Sequence, residues 1–301
     1  MKQHVYHFFL LTLLFLIAGC EKDFDVGYIT GDTKMVVNCQ IDNLRPIKVF
    51  VTESVSLLGT STPKCITNAQ VELYMNDSLL SALPFIYTDS AKTFGGYVWP
   101  ELGKPGNTYS VKIIHPQYGT VTATDFIPPM PVITNYALVY YGDSTDNYTT
   151  RFNLQLLDDG ARQNYYRMNV YQWGKRFVVS DEGDTTITDY AFSSKSEIQV
   201  LLSDTVREYN SNLIFSDRSF NGQLKQIDFV ARGADLINTT EAYYLVELSE
   251  VSPAHYQYCK SLQERNDFNS GSGNNSTYSN IQNAYGIFMS HSIYQMLKKV
   301  K

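Results

Sequence analysis

Beyond residue 20 the chain carries His115, His255 and His291, the side chains best suited to proton transfer near neutral pH. Their separation matches no metal-ligand or triad spacing, so each reads alone as a surface or packed residue. Asp158-Asp159-Gly160 brings two carboxylates together, a group that can serve glycoside hydrolysis or hold calcium. Adjacent carboxylates before a glycine more commonly mark a hairpin turn, and that is the reading here. Asp217 and Arg218 precede Asn221-Gly222, a turn formula, and read as a structural pair holding that turn. The chain has no Gly-x-Ser-x-Gly, no His-Glu-x-x-His, no phosphate-cradling glycine loop and no Cys-x-x-Cys. It is therefore expected to be non-enzymatic, with no catalytic residue, no cofactor and no metal centre.

Among the four cysteines, Cys20 has a defined chemical setting. It follows Leu16-Ile17-Ala18-Gly19 at the end of an apolar run that begins at Phe8, with Lys2 ahead of it. A positive start, an apolar run and small residues make a secretory signal. The uncharged run from Val5 to Ala18 falls short of the about 20 apolar residues that a bilayer-spanning helix needs. Leu-Ile-Ala-Gly-Cys resembles the bacterial lipobox, in which the thiol is acylated and the chain is cut before it. Residues 1–19 are then a signal peptide and Cys20 is the lipidation site. Several acyl chains at about 0.8 kcal/mol per buried methylene give a stable anchor. Glu21-Lys22-Asp23 next to it resembles the surface-export signal of Bacteroidetes lipoproteins. The expected location is the outer membrane, lipid-anchored and facing outward.

Cys39, Cys65 and Cys259 remain, an odd number for an oxidising compartment. Cys39 and Cys65 fall in one expected domain, either as a disulfide or as two buried thiols. Cys259 sits in an expected helix as a small core residue.

The elements that must position these residues are mostly strands. The chain holds 23 Tyr and 16 Phe but only 2 Trp, an enrichment that favours sheet. Its net charge is −6, and loss of the leader removes a further lysine, which excludes the basic footprint of a nucleic-acid binder. The length suits two cores. Residues 20–33 read as a lipidated stalk. Residues 34–128 read as an immunoglobulin- or transthyretin-like β-sandwich, with apolar alternation at Ile47, Val49 and Val51, at Val71, Leu73 and Met75, and at Tyr109, Val111 and Ile113. Pro128-Pro129-Met130-Pro131 reads as a joint. Residues 129–301 read as a second, larger β-rich domain.

In that second domain Phe152, Leu154 and Leu156 alternate, Tyr165 to Val170 forms a strand, and residues 181–195 read as a polar excursion. Ser252-Pro253 starts the one convincing helix, which runs to about Arg265. Residues 269–280 read as a polar loop and 281–289 as strand or extended chain. Lys298, Lys299 and Lys301 read as a solvated basic tail. The pairs Tyr140-Tyr141, Tyr165-Tyr166 and Tyr243-Tyr244 each place one ring inward and one outward on a strand. Outward rings can stack on sugars or form an interface, but ordinary strand surface is the preferred reading.

Phe215-Ser216-Asp217-Arg218-Ser219-Phe220-Asn221-Gly222 resembles the Phe-x-Asp-x-x-Phe-Asn/Asp-Gly block of a Bacteroidetes lipoprotein family known as domain of unknown function 4249. Leu248-Ser249, Tyr256-Gln257-Tyr258, Ser279-Asn280-Ile281 and Gly286-Ile287-Phe288 resemble its later blocks. Met35-Val36-Val37 and Asn68 to Leu73 resemble its start, while Ala284-Tyr285 departs from the glycine many relatives carry. The resemblance implies an outer-membrane lipoprotein that accompanies a TonB-dependent, SusC-like transporter in nutrient uptake. The alternative is a structural or adhesive surface protein of fimbrial type. Asp77-Ser78-Leu79, Asp89-Ser90-Ala91 and Asp204-Thr205-Val206 resemble the O-glycosylation acceptors of the same group of bacteria.

Overall fold

A computed structural model describes residues 33–55, 62–141, 149–179, 185–196, 198–200, 213–232, 239–266 and 277–299. The expected signal peptide, Cys20 and most of the expected stalk lie outside the described residues, as does Thr205. The described residues form a mainly β structure with one helix near the C-terminal end.

In the first half, β1 (Met35–Ile41), β2 (Pro46–Glu53), β5 (Phe85–Tyr87) and β6 (Gly95–Leu102) lie in one sheet. A second sheet runs in the order β4 (Ser78–Ala82), β3 (Gln70–Met75), β7 (Thr108–His115), β8 (Gly119–Phe126). The alternation read from the sequence sets both inner faces. Val37, Ile47, Val49 and Val51 meet Val71, Leu73, Tyr109, Val111 and Ile113 in one buried cluster. Each such side chain contributes about 1.5–3 kcal/mol when fully buried.

The second half repeats the plan. β9 (Val132–Tyr141), β10 (Thr149–Leu157), β13 (Ile198–Val200) and β15 (Leu224–Arg232) form one sheet. It packs against β11 (Tyr165–Val179), β16 (Thr239–Val251) and β17 (Tyr285–Lys299), with β12 (Thr185–Lys195) and β14 (Leu213–Ser216) along β11. Phe152 sits at the centre, its ring 5.1 Å from Phe229, 5.2 Å from Tyr244 and 5.9 Å from Tyr136. Residues 185–195, read from the sequence as an excursion, are strand β12. An edge strand pairs on one side only and needs no apolar alternation.

The last strand joins the two halves. Tyr285–Ser290 runs parallel to β1, and His291–Lys299 runs antiparallel to β16, so one nine-stranded sheet passes through both. The chain-order division at residues 128 and 129 falls between β8 and β9, whereas β17 enters the first half's sheet from the far end of the sequence. Side-chain amides extend its ladder where neighbouring strands stop. Asn43 accepts from the Ile293 amide at 2.7 Å and donates to the Ile293 carbonyl at 3.1 Å. Asn280 does the same for Phe288, at 2.9 and 2.7 Å. Gly286 has φ +107°, and a Cβ there would lie 2.0 Å from the Val37 carbonyl oxygen, so parallel pairing with β1 requires glycine. Lys298 and Lys299, expected in a solvated tail, are paired residues of β17 opposite Tyr244 and Tyr243.

The helix α1 (Pro253–Asn266) begins as expected. Ser252 Oγ accepts from the His255 amide at 3.1 Å and donates to Asp125 Oδ2 at 2.6 Å. Ser290 Oγ reaches the same carboxylate oxygen at 2.7 Å, so Asp125 at the end of β8 ties helix start and last strand together. Burial raises Asp125 to about 6 against the pull of these hydroxyls.

Candidate functional site: the outer face of the shared sheet

Because side chains alternate, Tyr166, Met168 and Val170 of β11 point into the core, and Arg167, Asn169, Tyr171 and Trp173 take the outer face. The strand register arranges these outer residues in rows across β11, β16 and β17. Arg167 lies beside Ser249 and Ile293, and Asn169 beside Glu247 and Gln295. Tyr171 lies beside Leu245 and Leu297, and Trp173 beside Tyr243 and Lys299. Helix α1 covers the near end, where Tyr256 stacks on Tyr165 at 4.3 Å.

The middle rows enclose a cleft of about 340 Å³, whose lining includes Gln40, Arg45, Arg167, Asn169, Tyr171, Glu247 and His291. Gln40 and Arg45 also line an adjoining cleft of about 400 Å³ over β1 and β2, with Lys48 and Phe50. Aromatic pairs stand near the two ends. Trp173 stacks on Tyr243 at 4.2 Å and 11°, and Phe50 on Phe94 at 5.3 Å and 20°. The tyrosine pairs thus divide as expected at 165–166 and 243–244, and the side chains of Tyr140 and Tyr141 lie outside the described residues.

Two of the histidines meet here, which their sequence spacing did not foretell. His255 of α1 and His291 of β17 pack edge to face, with ring centroids 4.9 Å apart. Arg167 Nη1 donates to His255 Nε2 at 3.3 Å. Gln40 Nε2 lies 3.5 Å from His291 Nε2. Burial, then the Arg167 and Arg45 charges, hold His291 down to about 3. Burial, then its partner imidazole, holds His255 well below the usual range. Both rings are neutral at physiological pH. Among the described residues, His291 Nδ1 and Asn169 Oδ1 have no hydrogen-bond partner, although these residues are only 3% and 5% exposed. A buried polar atom left unpaired is costly.

Arg45 and Glu247 have side-chain partners. Arg45 Nε donates to the buried Asp42 at 2.8 Å. Glu247 accepts from Gln295 Nε2 at 2.8 Å. His115 lies elsewhere, bonded to Asn68 at 3.1 Å and stacked on Tyr118. Among the described residues, no three His, Cys, Asp or Glu side chains converge in a way that could hold a metal ion.

The carboxylates singled out in the sequence have structural partners. Asp158 is buried rather than set on an open hairpin, and accepts from Tyr166 Oη at 2.6 Å and the Gly222 amide at 2.8 Å. Asp217 accepts from the Asn164 amide at 2.7 Å, while Arg218 is exposed and forms no ion pair with it. The turn at Asn221-Gly222 is therefore held by Asp158, not by an Asp217–Arg218 pair. Beside them Glu250 accepts from Arg162 at 2.9 Å and Asn164 Nδ2 at 2.8 Å, and burial still raises it to about 7.

Cys39, Cys65 and Cys259 are free thiols. Cys39 pairs across to Val49 on one edge of β2, and Cys65 bridges Thr52 on the other. Two strand spacings, about 10 Å, and an offset of three residues along β2 separate them, beyond the about 7 Å that a disulfide spans. The disulfide alternative gives way to thiols, and burial pushes that of Cys39 up.

The family described as "Domain of unknown function (DUF4249)" matches residues 21–296. The chain belongs to the DUF4249 family. Within it, Phe215, Asp217, Phe220 and Gly222 of the resembling block build the aromatic and carboxylate packing under the turn described above. Gly286 is explained by the approach of Val37. None of the curated proteins compared matches the chain. A solved structure titled "Cytokine receptor complex - Crystal form 1A" aligns at 13% identity and a TM-score of 0.24, over 74% of this chain and 87% of that one.

Proposed function

We propose that this DUF4249 chain is a non-enzymatic lipoprotein of the outer-membrane surface, anchored through Cys20, that serves as an accessory or ligand-binding partner of a TonB-dependent transporter. The observation that carries this reading is Leu16-Ile17-Ala18-Gly19-Cys20 at the end of a short apolar run, followed by Glu21-Lys22-Asp23. A tether at that point leaves the rest of the chain outside the bilayer, and among the described residues no helix is long and apolar enough to cross one. The shared sheet supports the binding role. Its outer face carries a polar cleft with aromatic pairs beyond its ends, and convergent polar groups can orient a bound ligand.

A pull-down of tagged protein from detergent-solubilised outer membranes, read by mass spectrometry, tests the proposal. Recovery of a TonB-dependent barrel in stoichiometric amount is expected. Recovery of the protein with only itself or other surface subunits would overturn the transporter partnership and favour a structural or adhesive role.

A further inference from the structure

The end of the shared sheet where β1 begins carries exposed rings among lysines. Met35 and Val37 point into the core, so Val36 faces outward, beside Tyr285 of β17 and Thr52 of β2. Phe50 stands one outward pair further along β2 and stacks on Phe94 at 5.3 Å. Tyr285 is 51% and Phe94 48% exposed, and Val55 and Tyr87 are exposed close by. The Lys34 carbonyl accepts from the Ser54 amide at 2.8 Å, and the Lys64 carbonyl from the Glu53 amide at 2.9 Å. The loop between β5 and β6 closes beside them, with Cys65 Sγ 3.8 Å from the Thr93 carbonyl oxygen. Lys34, Lys64 and Lys92 therefore share this end, and all three are exposed. Lys34 Nζ lies 5.2 Å from the centre of the Tyr285 ring. The acidic side chains Glu53 and Asp89 are turned onto protein donors. Glu53 accepts from Tyr118 Oη at 2.9 Å, and Asp89 accepts from the Thr93 and Phe94 amides at 2.9 and 2.8 Å.

This end is also the one next to the proposed anchor. From Cys20 to Thr33 the chain spans at most about 45 Å when fully extended. β17 starts here and carries the fold about 50 Å away, toward Lys299. A lipid on Cys20 thus holds the Tyr285 end, rather than the Lys299 end, against the bilayer. Lysines on a chain of net charge −6 give that end a local positive excess, complementary to anionic headgroups. Amphipathic rings suit the headgroup level of a membrane, where their apolar faces leave water. We infer that this end of the outer face docks on an anionic lipid surface, with Lys34, Lys64 and Lys92 on headgroup phosphates and Tyr285 and Phe94 between them. The inference rests on the lipid anchor proposed above.

Membrane-extracted protein is placed in vesicles of phosphatidylcholine, alone or with an equal part of phosphatidylglycerol. Flotation reports the anchor. Lysine labelling by a water-soluble acetylating reagent, read by mass spectrometry, reports what is covered. Lys34, Lys64 and Lys92 should label about fivefold more slowly in the anionic vesicles than in the neutral ones, while Lys104 and Lys299 keep their rates. Phe94→Ser and Tyr285→Ser change exposed rings, and together they should remove the protection with an unaltered melting temperature. Protein that does not float with neutral vesicles would overturn the anchor reading and this inference with it. Protein that floats, but whose three lysines change no more than Lys104 and Lys299, would overturn this inference alone. So would protection in isolated outer membranes that anionic vesicles do not reproduce, because a protein partner would then cover this end.

Discussion

At the scale of single residues, four buried titratable groups oppose one another. Asp125 and Glu250 keep their protons to about 6 and about 7 in the folded chain, above ordinary carboxyl values. Their contribution to stability is fully present below the unfolded values near 4 and is lost as pH rises through 6 and 7. His255 and His291 are held neutral, so their contribution is present above the usual 6.5 and is lost as pH falls below it. Between about pH 5 and 7 the two pairs pull in opposite directions. Glu250→Gln removes one of the groups that gain on acidification. Its melting temperature should therefore fall more steeply than the wild type's from about pH 7 to 5 in thermal melts. Parallel curves would show that Glu250 titrates normally. Tyr166→Phe removes the donor to Asp158 and should cost about 1–3 kcal/mol in urea unfolding. Little of this was legible in sequence. Outward placement of Asn169 follows from strand alternation, but its place beside Glu247 and Gln295 depends on register across β11, β16 and β17. His255 and His291 meet only because α1 packs on β17 and β11.

At the scale of elements, alternation carried most of the information. Ile47, Val49 and Val51 are all buried, and so are Phe152, Leu154 and Leu156, where the pattern placed them. Ser252-Pro253 marked the helix start because a hydroxyl acceptor and a fixed φ suit those positions. β12 escaped because an edge strand carries no two-sided apolar signal. β17 extends well past the segment read as strand because its pattern changes midway. Phe288 faces one core and Met296 the other, with Ser290 and Ser292 between them bonded to the segment joining the halves. Two substitutions test its ladder. Gly286→Ala sets a Cβ against the Val37 carbonyl and should lose about 1–3 kcal/mol or more, measured by urea denaturation. Asn43→Ala strands the Ile293 amide and carbonyl and should lose about 1–3 kcal/mol by the same measurement.

For the molecule as a whole, a shared strand means the two cores are expected to unfold together. Trp99 packs against the first core and Trp173 stands on the second half's sheet, so single-tryptophan variants report each half. Coincident urea midpoints are expected; separate midpoints would mean that β17 does not couple them. On the reading proposed above, that coupling makes the outer face one surface on a lipid tether. The proposed tether rests wholly on sequence, since resemblance to a lipobox depends on local order rather than on packing. Metabolic labelling with an alkyne fatty acid, followed by protease treatment of intact cells, tests the central claim most directly. Wild-type protein should take up label and be shaved from the cell surface, whereas Cys20→Ser should take up none and leave the membrane fraction. Unlabelled wild-type protein, or a Cys20→Ser variant that stays membrane-bound and equally exposed, would contradict the account.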